Sequence, residues 1–199
     1  IFQLYVHEPL FRARSVLGAL LFASFSMLWT PLTFLLANPP YSYSNTRIGL
    51  IGLVGAAGAY AAKRFGTLAD RGHANTATWV GLWLLLGSWG LIAFGGHAIL
   101  PLLMGILIQD LAIQGVHVTN QSAIYRLNPE ARSRLTAGYM TSYFLGGAAG
   151  SLISSYIYSH HGWPGVVGAG AVLGLLALLY SRFATSAHIP KTVSSPTMG

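Results

Sequence analysis

Long apolar runs separated by short polar stretches dominate the chain. A hydrocarbon core about 30 Å thick needs roughly 20 apolar residues per crossing helix. Six segments meet that test, approximately 16–37, 48–66, 76–95, 98–118, 135–158 and 163–183. The second is interrupted at its end by Lys63 and Arg64, whose long side chains can reach the interface from a terminal turn. The pattern predicts an all-α integral membrane bundle over 15–184, preceded by a polar cytoplasmic linker stub, 1–14, and followed by a disordered cytoplasmic tail, 185–199. The loops are short, so consecutive helices should pack antiparallel. In the loop 38–46, Pro39 and Pro40 oppose continuation of the first helix. In the turn 127–134, Pro129 and Glu130 suit the first turn of the helix that follows.

Composition makes lipid the solvent. The chain is 53% hydrophobic and only 8% charged, against about 25% in a water-soluble domain. The net charge of +7 comes without a basic cluster interleaved with aromatics, so nucleic acid is not an expected partner. The placement of the cations is more informative. Of the eleven Lys and Arg residues, Arg47 alone falls on the side opposite the termini, and the positive-inside bias puts both ends in the cytoplasm. There is no cysteine, which excludes disulfides, thiolate chemistry and thiol-ligated zinc. No spacing of acids and histidines makes a metal site, and nothing points to a cofactor. The chain opens Ile-Phe, without a secretory signal pattern, as a fragment of a longer protein would.

One of only four acidic residues, Asp110, lies near the centre of the fourth apolar run. An acid at that depth costs about 2.5–3.5 kcal/mol on insertion scales and normally faces a bundle interior or a wet cavity. On a 3.6-residue helix Asp110, Gln114, His117 and Gln121 fall within about 60° of one another, with Gln109 and Asn120 off the stripe. Two readings stay open: a solute or proton site, and a structural hydrogen bond to a neighbouring helix. Phe22, Ser26, Trp29 and Thr33 share a face of the first span, able to line a cavity or simply to meet lipid, and Pro31 could kink that helix.

Small residues mark where helices can approach closely. The second span carries Gly49, Gly52, Gly55 and Gly58, with Ala56, Ala59 and Ala62. The fifth carries Gly138, Ser142, Gly146, Gly150 and Ser154 at every fourth position. If the six spans form two inverted triplets, these glycine-rich spans occupy corresponding positions, as in many secondary transporters.

The string Gly66-Thr67-Leu68-Ala69-Asp70-Arg71 resembles the loop motif of the major facilitator superfamily, whose members have two six-helix halves. The stretch from Gln109 to Ser151 resembles a bacterial branch grouped with drug or sugar efflux permeases. The resemblance implies a carboxy-terminal half whose missing amino-terminal half is its partner, in a bacterial inner membrane. It implies that Gly66, Asp70 and Arg71 belong to a gating loop. Asp110, Gln114, His117, Gln121, Trp29 and Ser26 would then lie on the solute and proton pathway, and the second and fifth spans would face the missing half. The sequence departs from the motif where Gly72 follows Arg71 without trailing basic residues, and at Lys63-Arg64. The expected activity is proton-coupled efflux of a small organic solute, with no catalytic residue. A non-catalytic membrane scaffold is an alternative. So is an intramembrane serine protease built on Ser151, though no Gly-x-Ser-Gly signature precedes a helix.

Overall fold

A computed structural model describes residues 2–61 and 63–186 of the chain. Of the expected tail, 185–199, Thr185 and Ser186 continue the last helix, whereas residues from 187 onward, with Lys191, lie outside the described residues, as does Ala62. Among the described residues the chain is helical, with no strand. A short helix, α1 (Phe2–His7), leads into α2 (Pro9–Ala37). Then come α3 (Asn45–Ala61) and α4 (Lys63–Leu68), a turn at Ala69–His73, and α5 (Ala74–Ala93). The described residues end with α6 (Ile99–Tyr125) and the long α7 (Arg132–Ser186).

Four helical runs are long and apolar enough to cross a membrane: Pro9–Ala37, Asn45–Gly96, Ile99–Tyr125 and Arg132–Ala184. The second and fourth have 52 and 53 residues, about 80 Å if straight, far beyond one hydrocarbon core. Each instead reverses at a glycine with positive φ, Gly72 (φ 87°, ψ 1°) and Gly162 (φ 61°, ψ −159°). The neighbours on either side show the reversal. Before Gly72, Gly55 lies against Asp110, Gly66 against Val118 and Asp70 against Ser122, so α3 and α4 run parallel to α6. After it, Gly81 lies against Val116 and Ile92 against Gly105, so α5 runs antiparallel to α6. Before Gly162, the first arm of α7 (132–161) places Tyr139 on Gly18 and Gly150 on Ala23, parallel to α2. After it, the second arm (163–186) places Gly170 on Trp89 and Gly174 on Leu86, antiparallel to α5. Pro164 sits in the first turn of this arm, where its missing N–H costs no hydrogen bond.

The result is two inverted triplets with matching contacts. The second helix of each triplet packs parallel to the first helix of the other: α3 on α6, and the first arm of α7 on α2. The third helix of each triplet completes the exchange, α5 on α6 and the second arm of α7 on α2.

Helix edges differ from the sequence expectation where charge masked a helix. Arg12 and Arg14 made 1–14 read as a linker stub, yet α2 begins at Pro9, a residue preorganised for a first helical turn. Phe11 is fully buried, and the Tyr5 hydroxyl donates to the Gly138 carbonyl at 2.7 Å. This segment is therefore held on the bundle through Tyr5 and Phe11. Pro31 does not interrupt α2. The turn before α7 is capped by Asn128, whose side chain accepts from the backbone N–H of Glu130 and Ala131.

Candidate functional site

Asp110 is buried near the middle of α6. The Trp29 indole Nε1–H, from α2, donates to its Oδ1 at 3.3 Å. The third wall is α3, and its glycines explain why a carboxylate fits there. A Cβ on Gly55 would collide with Asp110 Oδ2, and one on Gly58 would fall 2.6 Å from the Leu107 carbonyl oxygen. The α3 backbone thus lies directly on α6 at the acid. Trp29 itself continues an aromatic row along α2, with Phe25 at 5.8 Å and Phe22 stacked on Tyr143 at 4.3 Å between ring centres.

Of the other stripe residues, Gln114, His117 and Gln121 are half-buried on the same side of α6. No side-chain hydrogen bond joins them to Asp110 among the described residues. His117 Nδ1 lies 3.0 Å from the Tyr139 hydroxyl, and its ring sits 4.6 Å from that of Tyr143. Ser26 is half-buried on α2, and Thr33 is exposed.

A second polar face of α6 lies off the stripe. Gln109 and Asn120 are fully buried and point at α2. Gln109 Nε2 donates to the Ser24 carbonyl at 3.2 Å, and Ser24 Oγ accepts from Trp89 at 3.2 Å. Asn120 Oδ1 accepts from Arg14 at 3.1 Å, and Arg14 also donates to Thr78 at 2.9 Å and Asn75 at 3.3 Å. Asn120 Nδ2 donates to the Tyr139 hydroxyl at 3.5 Å, which closes a chain from Arg14 to His117 across α2, α5, α6 and α7. Gln109 and Asn120 fall only about 20° apart on the helical wheel, a spacing that could have marked this second face. Arg14 and Tyr139 carried no such signal.

The loop residues lie at the far end of α6. Asp70 Oδ1 accepts from the Ser122 hydroxyl at 3.0 Å and lies 3.8 Å from Arg126 Nη2. Arg126 also donates to the Ala69 carbonyl at 3.2 Å. Gly66 meets Val118, and Arg71 is exposed. Both members of the Asp70–Arg126 pair are more than half exposed, so it positions the turn more than it stabilises the fold.

The small-residue ridges face inward over much of their length. Gly146 and Gly150 abut the Ala19 and Ala23 carbonyls of α2. Ser142 and Gly138 hold Tyr5. On α3, Gly55 and Gly58 pack on α6, whereas a Cβ on Gly49 or Gly52 would meet nothing within 4 Å among the described residues. The resemblance implies that these spans face a missing half; within this chain, Gly55 and Gly58 touch α6, and Gly146 and Gly150 touch α2. The Ser151 hydroxyl accepts from Thr30 at 3.0 Å, and no imidazole is hydrogen-bonded to it among the described residues.

This geometry, an acid inside a bundle of inverted triplets, meets its family in the sequence. The chain matches the Major Facilitator Superfamily over residues 14–197. It belongs to that superfamily. It is 55% identical over 179 residues to YgaY, an uncharacterized transporter of Escherichia coli O157:H7, and equally to the protein of that name in strain K12. The alignment covers 90% of this chain and 45% of those relatives. An uncharacterized transporter of Buchnera aphidicola from Schizaphis graminum is 22% identical over 180 residues, covering 90% of this chain and 43% of that relative. The chain thus spans under half the length of the curated relatives it matches. As a member of the superfamily with long apolar helices, it is a multi-pass membrane protein.

Proposed function

We propose that this chain is the carboxy-terminal six-crossing half of a secondary active transporter, with both ends in the cytoplasm of a bacterial inner membrane. It rocks against an amino-terminal half and exports a small organic solute in exchange for protons. The observation that carries the reading is Asp110. Among the described residues a carboxyl group is held at mid-helix by a single indole N–H, in a space that Gly55 of α3 keeps open. A carboxylate can accept about four hydrogen bonds, so this one retains acceptor capacity for a proton or a solute donor. The aromatic row of Phe22, Phe25 and Trp29 on α2 supplies an apolar wall beside it. Gln114, His117 and Gln121 continue the polar path toward the Asp70 turn, which serves as the gate.

The test is flux through the intact protein in proteoliposomes. An imposed proton gradient should drive movement of at least one member of a panel of sugars and amphipathic dyes. Asp110→Asn keeps the shape and the Trp29 contact but removes the titrating charge, so coupled flux should be abolished. Unchanged coupling in that variant would reject the proton role.

A further inference from the structure

The close approach of α2 and the first arm of α7 leaves a second feature, away from Asp110. Gly146 and Gly150 bring the two backbones into contact at Ala19 and Ala23. Because the residues at this crossing are so small, a groove of about 640 Å³ remains above them, bounded by Val16, Leu145, Ala149 and Val172. Its lining is almost wholly apolar, Ser142 being the polar exception. On α2, Val16, Ala23 and Met27 fall within about 40° of one another, and Trp29 falls roughly 140° from their centre. The groove therefore opens on the side of α2 turned away from the acid.

Its length matches one leaflet. Val16 to Met27 spans about 16 Å of helix rise, and half of a hydrocarbon core is about 15 Å. One turn before Val16, on the same face, stands the exposed Arg12, which keeps one guanidinium nitrogen on the Tyr5 carbonyl. Tyr180, at the same end of the second arm of α7, lies within electrostatic reach of Arg12. An apolar channel as deep as one leaflet, with a cation and a phenol at its interfacial mouth, matches the two parts of an anionic phospholipid. Basic pockets between transmembrane helices are known to select such headgroups.

We propose that this groove is a specific binding site for one anionic phospholipid, with its phosphate at Arg12 and Tyr180 and an acyl chain lying over Ala19 and Ala23. The site is independent of the transport reading, since it requires only that the chain lie in a bilayer.

The experiment uses the full-length protein, extracted in mild detergent with an equal mixture of phosphatidylglycerol and phosphatidylethanolamine of the same acyl length. Retained lipid is counted by native mass spectrometry. The parent should hold phosphatidylglycerol in preference to phosphatidylethanolamine. Arg12→Gln should reduce that preference about fivefold, the ratio expected of one basic residue at an anionic headgroup. Ala149→Trp should fill the groove and release the lipid. Val80→Trp, at an exposed position of α5 outside the groove, should change nothing. Val172→Trp repeats the blockade from the opposite wall in case Ala149→Trp fails to fold. Equal retention of the two lipids by the parent, or full retention in both groove-filling variants, overturns the proposal.

Discussion

Gly55 and Gly58 occupy adjacent turns of α3 but meet different parts of α6, and substitution should separate them. A methyl at Gly58 would press on the backbone at Leu107 and Leu111, which cannot yield cheaply. Gly58→Ala should therefore destabilise the intact protein by about 1–3 kcal/mol, the usual cost of overpacking, seen as a lower thermal unfolding midpoint in detergent. A methyl at Gly55 would press on the movable end of the Asp110 side chain and on the Trp29 ring. Gly55→Ala should lose most coupled flux while keeping more of its stability than Gly58→Ala. Gly49→Ala, with nothing within 4 Å among the described residues, should match the parent in stability and serves as the control. The sequence made Asp110 legible because a charge inside an apolar run has few places to go. Its partner was not legible: helical periodicity gives the face a residue points from, never the helix it points to. For the same reason Trp29 stood out only as a member of an aromatic face, and the Arg14–Asn120–Tyr139 contacts could not be foreseen.

At the scale of elements, the two reversals should differ in tolerance. Gly162 lies at φ 61° and ψ −159°, a region essentially reserved for glycine, whereas Gly72 lies at φ 87° and ψ 1°, nearer the left-handed helical region that asparagine also visits. Gly162→Asn should cost about 1–3 kcal/mol and Gly72→Asn clearly less, both read from thermal unfolding. The loop between α2 and α3 is tied to the bundle by the Tyr41 hydroxyl, which donates to the Gly95 carbonyl at 2.8 Å. Burial raises the Tyr41 pKa above its ordinary value, with Tyr43 adding to the effect. A raised acid keeps its stabilising hydrogen bond below the unfolded pKa of about 10 and loses it as pH rises through the folded value. Tyr41→Phe should speed amide exchange in the turn around His97 and Ala98 at neutral pH, and the parent should reach the variant's rate only in strong alkali. The apolar runs foretold these elements well, because lipid demands a long uninterrupted helix. The early start of α2 escaped because arginines near a helix end look like a linker in sequence, although they can lie along a packed helix and reach polar partners.

For the whole molecule, the exchange of helices between triplets carries a prediction about orientation. Six crossings would put the loop before Arg47 on one side of the membrane and the turn before Ser133 on the other, and the proposed orientation has the second in the cytoplasm. The chain lacks cysteine, so single cysteines can report each side within it. With any cysteines elsewhere in the intact protein replaced, Ser44→Cys should react with a membrane-impermeant maleimide applied to whole cells. Ser133→Cys should react only after permeabilisation, and the reverse pattern would invert the proposed topology. The need for a second half is tested by reconstitution. Transport by alternating access needs two surfaces that part and meet around one site, and in the proposed reading Asp110 with Trp29 would supply one of them. This chain reconstituted alone should give no proton-coupled flux, while co-expression with an amino-terminal half should restore it. Flux through the lone chain, at a rate comparable with the intact protein, would mean that six helices suffice and that the second surface lies within them.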